Sequence, residues 1–129
     1  MSLLQNMHFE TGLLRVDASG DFSLEDAKQA FREMLAAVVY YKAEKILLDA
    51  RIVRGKPGDM ERFYYGEFAA RETYRIVIEQ KLVPRFAYVL HEPLRDPARL
   101  GETVAVNRGM IVKIFETPED AIEWLNKAR

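Results

Sequence analysis

The stretch Lys45-Ile46-Leu47-Leu48-Asp49-Ala50 decides the fold that this sequence predicts. It is a short apolar run that includes a carboxylate near its end, and amphipathic helical patterns lie on both sides of it. Such a run is typical of a strand with both faces covered, as in the centre of an α/β sheet. We therefore predict a central buried strand, with the functional surface where it ends, at Asp49 and the basic segment that follows.

The composition is that of an ordinary globular chain. Its 129 residues suffice for one domain with its own core, and we predict a single domain over residues 1–129. With 19 basic and 20 acidic side chains the net charge is −1, so we expect no nucleic-acid partner. The absence of cysteine excludes disulfides and thiolate catalysis. Without a signal peptide or an apolar run of about 20 residues, we expect a cytoplasmic protein with no membrane span.

Four helical patterns separate the predicted strands. Apolar residues recur at spacings of three and four from Leu24 to Tyr41, where Ser23 and Asp26 form a capping box. A longer pattern runs from Asp59 to about Gln80. The remaining two begin at Asp-Pro and Thr-Pro pairs, which are typical helix starts, and their predicted spans are residues 96 to about 108 and residues 117–125.

The strand patterns complete the predicted architecture. A hairpin at Thr11-Gly12 joins residues 7–10 to residues 13–18, and Ser19-Gly20-Asp21-Phe22 is expected to end the second strand. Residues 86–91 and 110–115 read as further strands. The predicted order is β-β-α-β-α-β-α-β-α. It indicates an α/β fold with a mixed, mostly parallel sheet of about five strands and four helices, whose first strand is an antiparallel edge.

The helix from Asp59 to Gln80 is rich in aromatic residues. We expect its buried side to include Tyr64 and to leave Tyr65 outside, with Glu67 and Arg71 paired at the margin. Core packing explains this side, but a ligand pocket or a dimer contact is also open. The predicted buried residues are Met60, Phe63, Tyr64, Phe68, Ala70, Tyr74, Val77 and Ile78.

The element order resembles the STAS fold, the domain of anti-sigma-factor antagonists and of sulfate-transporter tails. The residues that carry this resemblance are Ile46-Leu47-Leu48-Asp49, the turn Asn107-Arg108-Gly109, and residues 114–125. The last stretch is a strand ending in Phe, a short acidic turn and an Ala-x-x-Trp-Leu helix, which is similar to the SpoIIAA-like, or STAS/SEC14, group of bacteria. The resemblance implies a fold more than an activity.

The chain departs from the regulatory STAS pattern in one chemical respect. In those domains a phosphorylatable Ser or Thr follows the strand that ends in Asp, and phosphate there disrupts partner binding. Residues 50–72 of this chain contain neither Ser nor Thr. We therefore predict that no phosphorylation switch operates at that position.

The loop predicted after the central strand is the first candidate site. It carries Arg51, Arg54 and Lys56 with two glycines just before a helix, which suits a phosphate or a carboxylate. Its spacing matches no phosphate-binding fingerprint, so a solvated loop is the alternative.

Other candidate groups lie at the carboxyl ends of the strands, where open α/β sheets bind ligands. These are Asp17, Asp49, His91 with Glu92, and Glu116. His91 and Glu92 could titrate as a pair, but a strand-end histidine bonded to a backbone group is the alternative reading, since neighbouring strand residues point to opposite faces.

Catalytic signatures are missing from the sequence. Its three serines lie outside any nucleophile-elbow context, and its two histidines are far apart. We expect no enzyme, metal or cofactor, although an enzyme that uses His91 stays the third reading.

We predict a non-catalytic binding or regulatory module that binds a protein partner or a small anionic or apolar ligand. The alternative is a small carrier of an apolar or lipid-like ligand, of SEC14 type. A homodimer through the hairpin or the long helix stays open. The candidate binding residues are Asp49, Arg51, Arg54, Lys56, His91 and Tyr64.

Overall fold

A five-stranded sheet forms the centre of the molecule, and the computed structural model describes residues 3–127 of the chain. The helices and strands follow the predicted order. They are β1 (Leu4–Glu10), β2 (Leu13–Asp21), α1 (Leu24–Tyr41), β3 (Lys45–Arg54), α2 (Asp59–Gln80), β4 (Arg85–Val89), α3 (Leu100–Asn107), β5 (Ile111–Phe115) and α4 (Pro118–Asn126).

The sheet topology confirms the predicted α/β architecture. The strands lie in the order β1-β2-β3-β4-β5, with β3 in the centre, and β1 pairs antiparallel to β2 at one edge. The other three pairings are parallel. Because β2 to β5 follow one another in the sheet, right-handed crossovers place α1, α2 and α3 on the same face. Helix α4 follows the last strand and covers the opposite face.

Alternation along β3 divides its side chains between these two faces. Leu48 and Ala50 belong to the larger core, beneath α1, α2 and α3. Leu47 belongs to the smaller core, where it packs with Ala121 and Leu125 of α4. Asp49 follows the same alternation as Leu47 and therefore lies on the α4 face.

Strands β2 and β3 are longer than predicted. Arg51 to Arg54, predicted as a loop, continue β3, because β2 also continues past Ser19 and pairs with them up to Asp21. A bulge between Asp17 and Ser19 shifts the register. Beyond it the alternation slips by one residue, so that Val53 is buried and Ile52 is 69% exposed.

Other boundaries also differ from the prediction. Strand β1 begins at Leu4 and β4 ends at Val89. Helix α3 begins at Leu100 because the Asp96 carboxylate accepts hydrogen bonds from the backbone N–H groups of Ala98 and Leu100, which folds a turn before the helix. In that turn Arg99 has a left-handed backbone conformation (φ 60°), which separates it from the helix. The caps predicted at Ser23 and Thr117 are confirmed.

Candidate functional site

Asp49 lies in a cluster of charged side chains on the α4 face of the sheet. Arg51 donates to it through two N–H groups on one edge of its guanidinium group, from Nε to Oδ1 at 2.9 Å and from Nη2 to Oδ2 at 2.7 Å. Arg15 Nη2, on the neighbouring strand, lies 3.3 Å from Oδ2. Only 12% of the Asp49 side chain is exposed. Two-point binding of this kind is the strong form of an Arg–carboxylate pair.

These contacts also set the ionisation of the cluster. Partial burial acts to raise the pKa of Asp49, but the hydrogen bonds from Arg51 and the positive charges of Arg51 and Arg15 outweigh it, and the pKa of Asp49 falls below its ordinary value. The same hydrogen bonds raise the pKa of Arg51. Asp49 and Arg51 are therefore an ion pair at neutral pH.

The predicted basic loop does not gather its cations at one point. Arg54 Nε donates to Asp21 Oδ1 at 2.8 Å, and both side chains are mostly exposed. Lys56 is also exposed. At the start of α2 the Glu61 side chain accepts the backbone N–H of Gly58 at 2.9 Å. The protein's own carboxylates therefore occupy part of the surface on which an anion was expected to bind.

His91 and Glu92 point to different partners. His91 Nε2 bonds the backbone carbonyl oxygen of Glu116 at 3.0 Å, which is the backbone-bonded alternative rather than a titrating pair. Arg95 lies 3.4 Å from carboxylate oxygens of both Glu92 and Glu116. This cluster therefore ties the end of β4 to the end of β5.

The prediction for the buried side of α2 is partly wrong. Tyr64 is exposed on the outer surface of the helix, whereas Tyr65 turns towards the sheet. Met60, Tyr74 and Ile78 are also more than half exposed. The inward stripe consists mainly of small residues, which allow close helix contacts and which a search for large apolar residues misses. Its buried residues are Gly66, Phe68, Ala69, Ala70 and Thr73.

The predicted pair of Glu67 and Arg71 does not form. The Arg71 guanidinium lies over the Phe68 ring, 5.7 Å from its centroid. Glu67 Oε2 instead lies 3.6 Å from Arg108 Nη2, just beyond the end of α3. The ion pair therefore joins α2 to α3 and does not stabilise α2 alone.

The sequence left a ligand pocket on the aromatic side of α2 as an open alternative, and the structure contains a cavity beneath α1, α2 and α3. Its volume is about 180 Å³. The cavity lies on the face of the sheet opposite Asp49, because Leu48 and Ala50 line it. Most lining side chains are apolar and come from every layer around it, for example Phe31, Met34, Leu48, Ala69, Ala105 and Val112.

The polar groups of this cavity fall into two sets. Tyr65 and Tyr88 both line it, and their hydroxyl oxygens lie 2.6 Å apart. Burial raises the pKa of both tyrosines, so both are neutral at physiological pH. The second set is six charged side chains, three acidic and three basic, which give the lining no net charge: Glu61, Asp96, Glu102, Arg62, Arg95 and Arg99.

Arg62 connects the walls of the cavity. Its guanidinium donates to the carbonyl oxygens of Leu94 at 2.8 Å, Pro93 at 3.1 Å and Pro57 at 3.2 Å. These carbonyls belong to the segments before α2 and after β4. Arg62 therefore joins α2 to both segments. Its N–H groups are bonded to backbone carbonyls and are not available to bind a ligand.

Within residues 3–127, no group of three or more His, Asp or Glu side chains is placed to hold a metal ion. No helix in that range is both long enough and apolar enough to cross a lipid bilayer.

Comparison with known proteins identifies a solved structure with a similar fold. Neither a protein-family model nor a curated protein sequence matches this chain. A solved structure does match, described as the crystal structure of an anti-sigma factor antagonist from Mycobacterium paratuberculosis. The two share 15% sequence identity and superpose with a TM-score of 0.58, over 95% of this chain and 92% of that one. This similarity confirms the resemblance to STAS domains at the level of the fold.

Proposed function

We propose that this chain is a non-catalytic binding module that holds a small apolar molecule in the cavity beneath α1, α2 and α3. The observation that supports this function best is the cavity itself, because ligand sites are concave and mainly apolar, with a few polar groups. An engineered apolar cavity of about 150 Å³ stays dry and binds benzene. The cavity of this protein, at about 180 Å³, is slightly larger.

The size and lining of the cavity limit the ligand. A molecule somewhat larger than benzene fits, and a longer chain would leave part of itself outside. Each methylene group that moves from water into the cavity contributes about 0.8 kcal/mol to binding. This is the carrier function that the aromatic character of α2 suggested, except that Tyr65, and not Tyr64, borders the ligand.

A variant with a larger side chain in the cavity tests this proposal. Ala69 is buried and lines the cavity, so Ala69→Leu places its additional carbons where a ligand would lie. Ala36→Leu is the matched control, since Ala36 is exposed on α1. We expect native mass spectrometry of protein purified from its own cells to find an apolar molecule on the wild type and on Ala36→Leu, and none on Ala69→Leu. Equal occupancy in all three would contradict the proposal.

A second candidate function is protein binding through the charged surface around Asp49 and Arg51. Two observations support it: exposed side chains such as Arg54 and Lys56 flank this surface, and the similar fold belongs to an anti-sigma factor antagonist, which by its name acts on a protein. His91, exposed just after β4, is its other proposed residue, whereas Tyr64 is exposed on the outer side of α2, which covers the opposite face of the sheet, and would bind a partner separately. Because residues 50–72 lack Ser and Thr, serine or threonine phosphorylation in that segment would not regulate such binding.

Pull-down with the wild type and with Arg54→Ala separates this function from ligand carriage. Loss of a partner in Arg54→Ala, with apolar binding unchanged, would support protein binding. A partner retained by both Arg54→Ala and Lys56→Ala would exclude this surface. Self-association and a cytoplasmic location stay predictions.

A further inference from the structure

The tyrosine pair that lines the cavity has one hydrogen-bond donor more than it uses. Each hydroxyl carries one proton, and only one of the two protons can lie between oxygens that are 2.6 Å apart. Among residues 3–127 neither hydroxyl has a second hydrogen-bond partner. One buried O–H group therefore lacks an acceptor, at a place where both rings border the cavity.

A donor without an acceptor is unfavourable in a buried apolar site, since most buried polar groups in proteins are bonded. Tyr88 is buried in the sheet, with 6% of its surface exposed, and Tyr65 packs against the same core. Their surroundings are largely hydrocarbon, including Phe31, whose ring lies edge-on to Tyr65 with 6.1 Å between centroids. A molecule in the cavity that carries an acceptor would satisfy this O–H group.

The charges around the cavity determine which kind of acceptor fits. The three basic lining residues have partners within the protein: Arg62 on backbone carbonyls, Arg95 on Glu92 and Glu116, and Arg99 near Glu102 at 3.6 Å. A buried carboxylate ligand would therefore lack a cation of its own, and burying an unpaired charge is strongly unfavourable. Glu102 has an oxygen without a hydrogen bond and would also repel it.

We propose that the ligand of this cavity is an apolar molecule with a neutral hydrogen-bond acceptor, such as a ketone or ester carbonyl, which accepts the unused O–H of the Tyr65–Tyr88 pair. This inference rests on the proposed function and adds the chemical class of the ligand. The pair is then a specificity element, because it favours a carbonyl compound over both a hydrocarbon and a carboxylate of the same shape.

Three probes of nearly the same size test this inference by amide chemical-shift titration of the isotope-labelled full chain. Acetophenone carries a neutral carbonyl acceptor. In α-methylstyrene a methylene group replaces that carbonyl oxygen, and in benzoate a carboxylate replaces the acetyl group. A site without a donor would bind acetophenone roughly tenfold more weakly than α-methylstyrene, because the carbonyl loses its water without gaining a partner.

We expect the wild type to bind acetophenone within about threefold of α-methylstyrene, since one hydrogen bond offsets the loss of water. In the double variant Tyr65→Phe/Tyr88→Phe, the affinity for acetophenone should fall to roughly a tenth of the affinity for α-methylstyrene. Benzoate should bind the wild type at least about tenfold more weakly than acetophenone. If the double variant does not fold, the ratios in the wild type decide alone.

The results separate this inference from the function on which it rests. A wild type that disfavours acetophenone by about tenfold, or that binds benzoate most tightly, overturns the neutral-acceptor proposal and leaves apolar binding intact. A water molecule already bonded to the free hydroxyl would produce the first of these results. A wild type that binds none of the three probes overturns both proposals.

Discussion

Gly66 of α2 lies directly against the backbone carbonyl of Gly101 in α3. A Cβ atom at Gly66 would lie 2.5 Å from that oxygen, a distance that real Cβ atoms do not adopt. Both glycines line the cavity, so the contact sets the distance between two of its walls. The position of α3 therefore depends on the absence of a side chain at residue 66.

Gly66→Ala should destabilise the protein. The added methyl group must displace α3, and overpacking of this kind costs typically 1–3 kcal/mol, from which about 1 kcal/mol is recovered because alanine favours a helix more than glycine. Gly101→Ala is the control, since it makes the same substitution in the first turn of α3, where its Cβ would lie 3.1 Å from the carbonyl oxygen of Arg62, a tight contact but a longer one than at Gly66. Urea unfolding should find Gly66→Ala the less stable variant, and the reverse order would contradict this packing.

Arg51→Ala should destabilise the protein in a pH-dependent manner. It leaves Asp49, largely buried, with Arg15 as its remaining cation, and hydrogen bonds to charged groups contribute about 1.5–3 kcal/mol. The pKa of Asp49 is lowered in the folded state, so this stability is present above the unfolded pKa of about 3.9 and is lost as pH falls through the folded pKa.

Urea unfolding of the wild type and Arg51→Ala across pH 3 to 7 measures this difference, which should shrink as the pH is lowered. Arg54→Ala serves as control, because its pair with Asp21 is exposed and should change the free energy of unfolding by less than about 0.5 kcal/mol. An effect of Arg51→Ala that stays constant with pH would mean that Asp49 is not the group responsible.

The tyrosine pair predicts a loss of stability at high pH. Because burial raises the pKa of Tyr65 and Tyr88, the unfolded chain ionises first, above pH of about 10, and that ionisation favours unfolding. The loss should be smaller in Tyr65→Phe/Tyr88→Phe. Spectrophotometric titration of the wild type should leave two of its six tyrosines un-ionised until the protein unfolds. Ionisation of all six in the folded state would contradict the burial of the pair.

Arg62→Lys should loosen the segment after β4. One ammonium group cannot take the place of a planar guanidinium that bonds three carbonyls of two segments. We expect a destabilisation of about 1–2 kcal/mol and faster amide hydrogen exchange in residues 94–96. Arg75→Lys, on the exposed side of α2, is the control and should change neither. Unchanged exchange in Arg62→Lys would show that other contacts hold this segment.

Local patterns predicted the elements of this fold, whereas contacts between distant residues decided its site. The apolar run at Ile46 and the caps at Ser23 and Thr117 are local signals, and all were confirmed. The extension of β3 to Arg54 depends on its pairing with β2, which the polar residues of that segment do not reveal. The contact between Arg51 and Asp49 could have been inferred, because residues two apart on a strand share a face.

The cavity required information that the sequence pattern does not carry. Tyr65 and Tyr88 lie 23 positions apart and meet only because α2 crosses the sheet. The small residues Gly66 and Ala69 were the available signal, since they recur at helical spacing on one side of α2. The buried side of α2 was instead predicted from the spacing of large aromatic residues such as Tyr64 and Tyr74. On this helix those rings face solvent.

The most direct test of the central claim is a chemical-shift titration of the full chain with α-methylstyrene. We predict saturable shifts of amides that border the cavity in α1, α2, α3 and the sheet, with no shifts in α4 on the opposite face of the sheet. The same titration of Ala69→Leu should show none of these shifts, while Ala36→Leu should behave as the wild type. The absence of saturable shifts in the wild type, or shifts that persist in Ala69→Leu, would contradict the account.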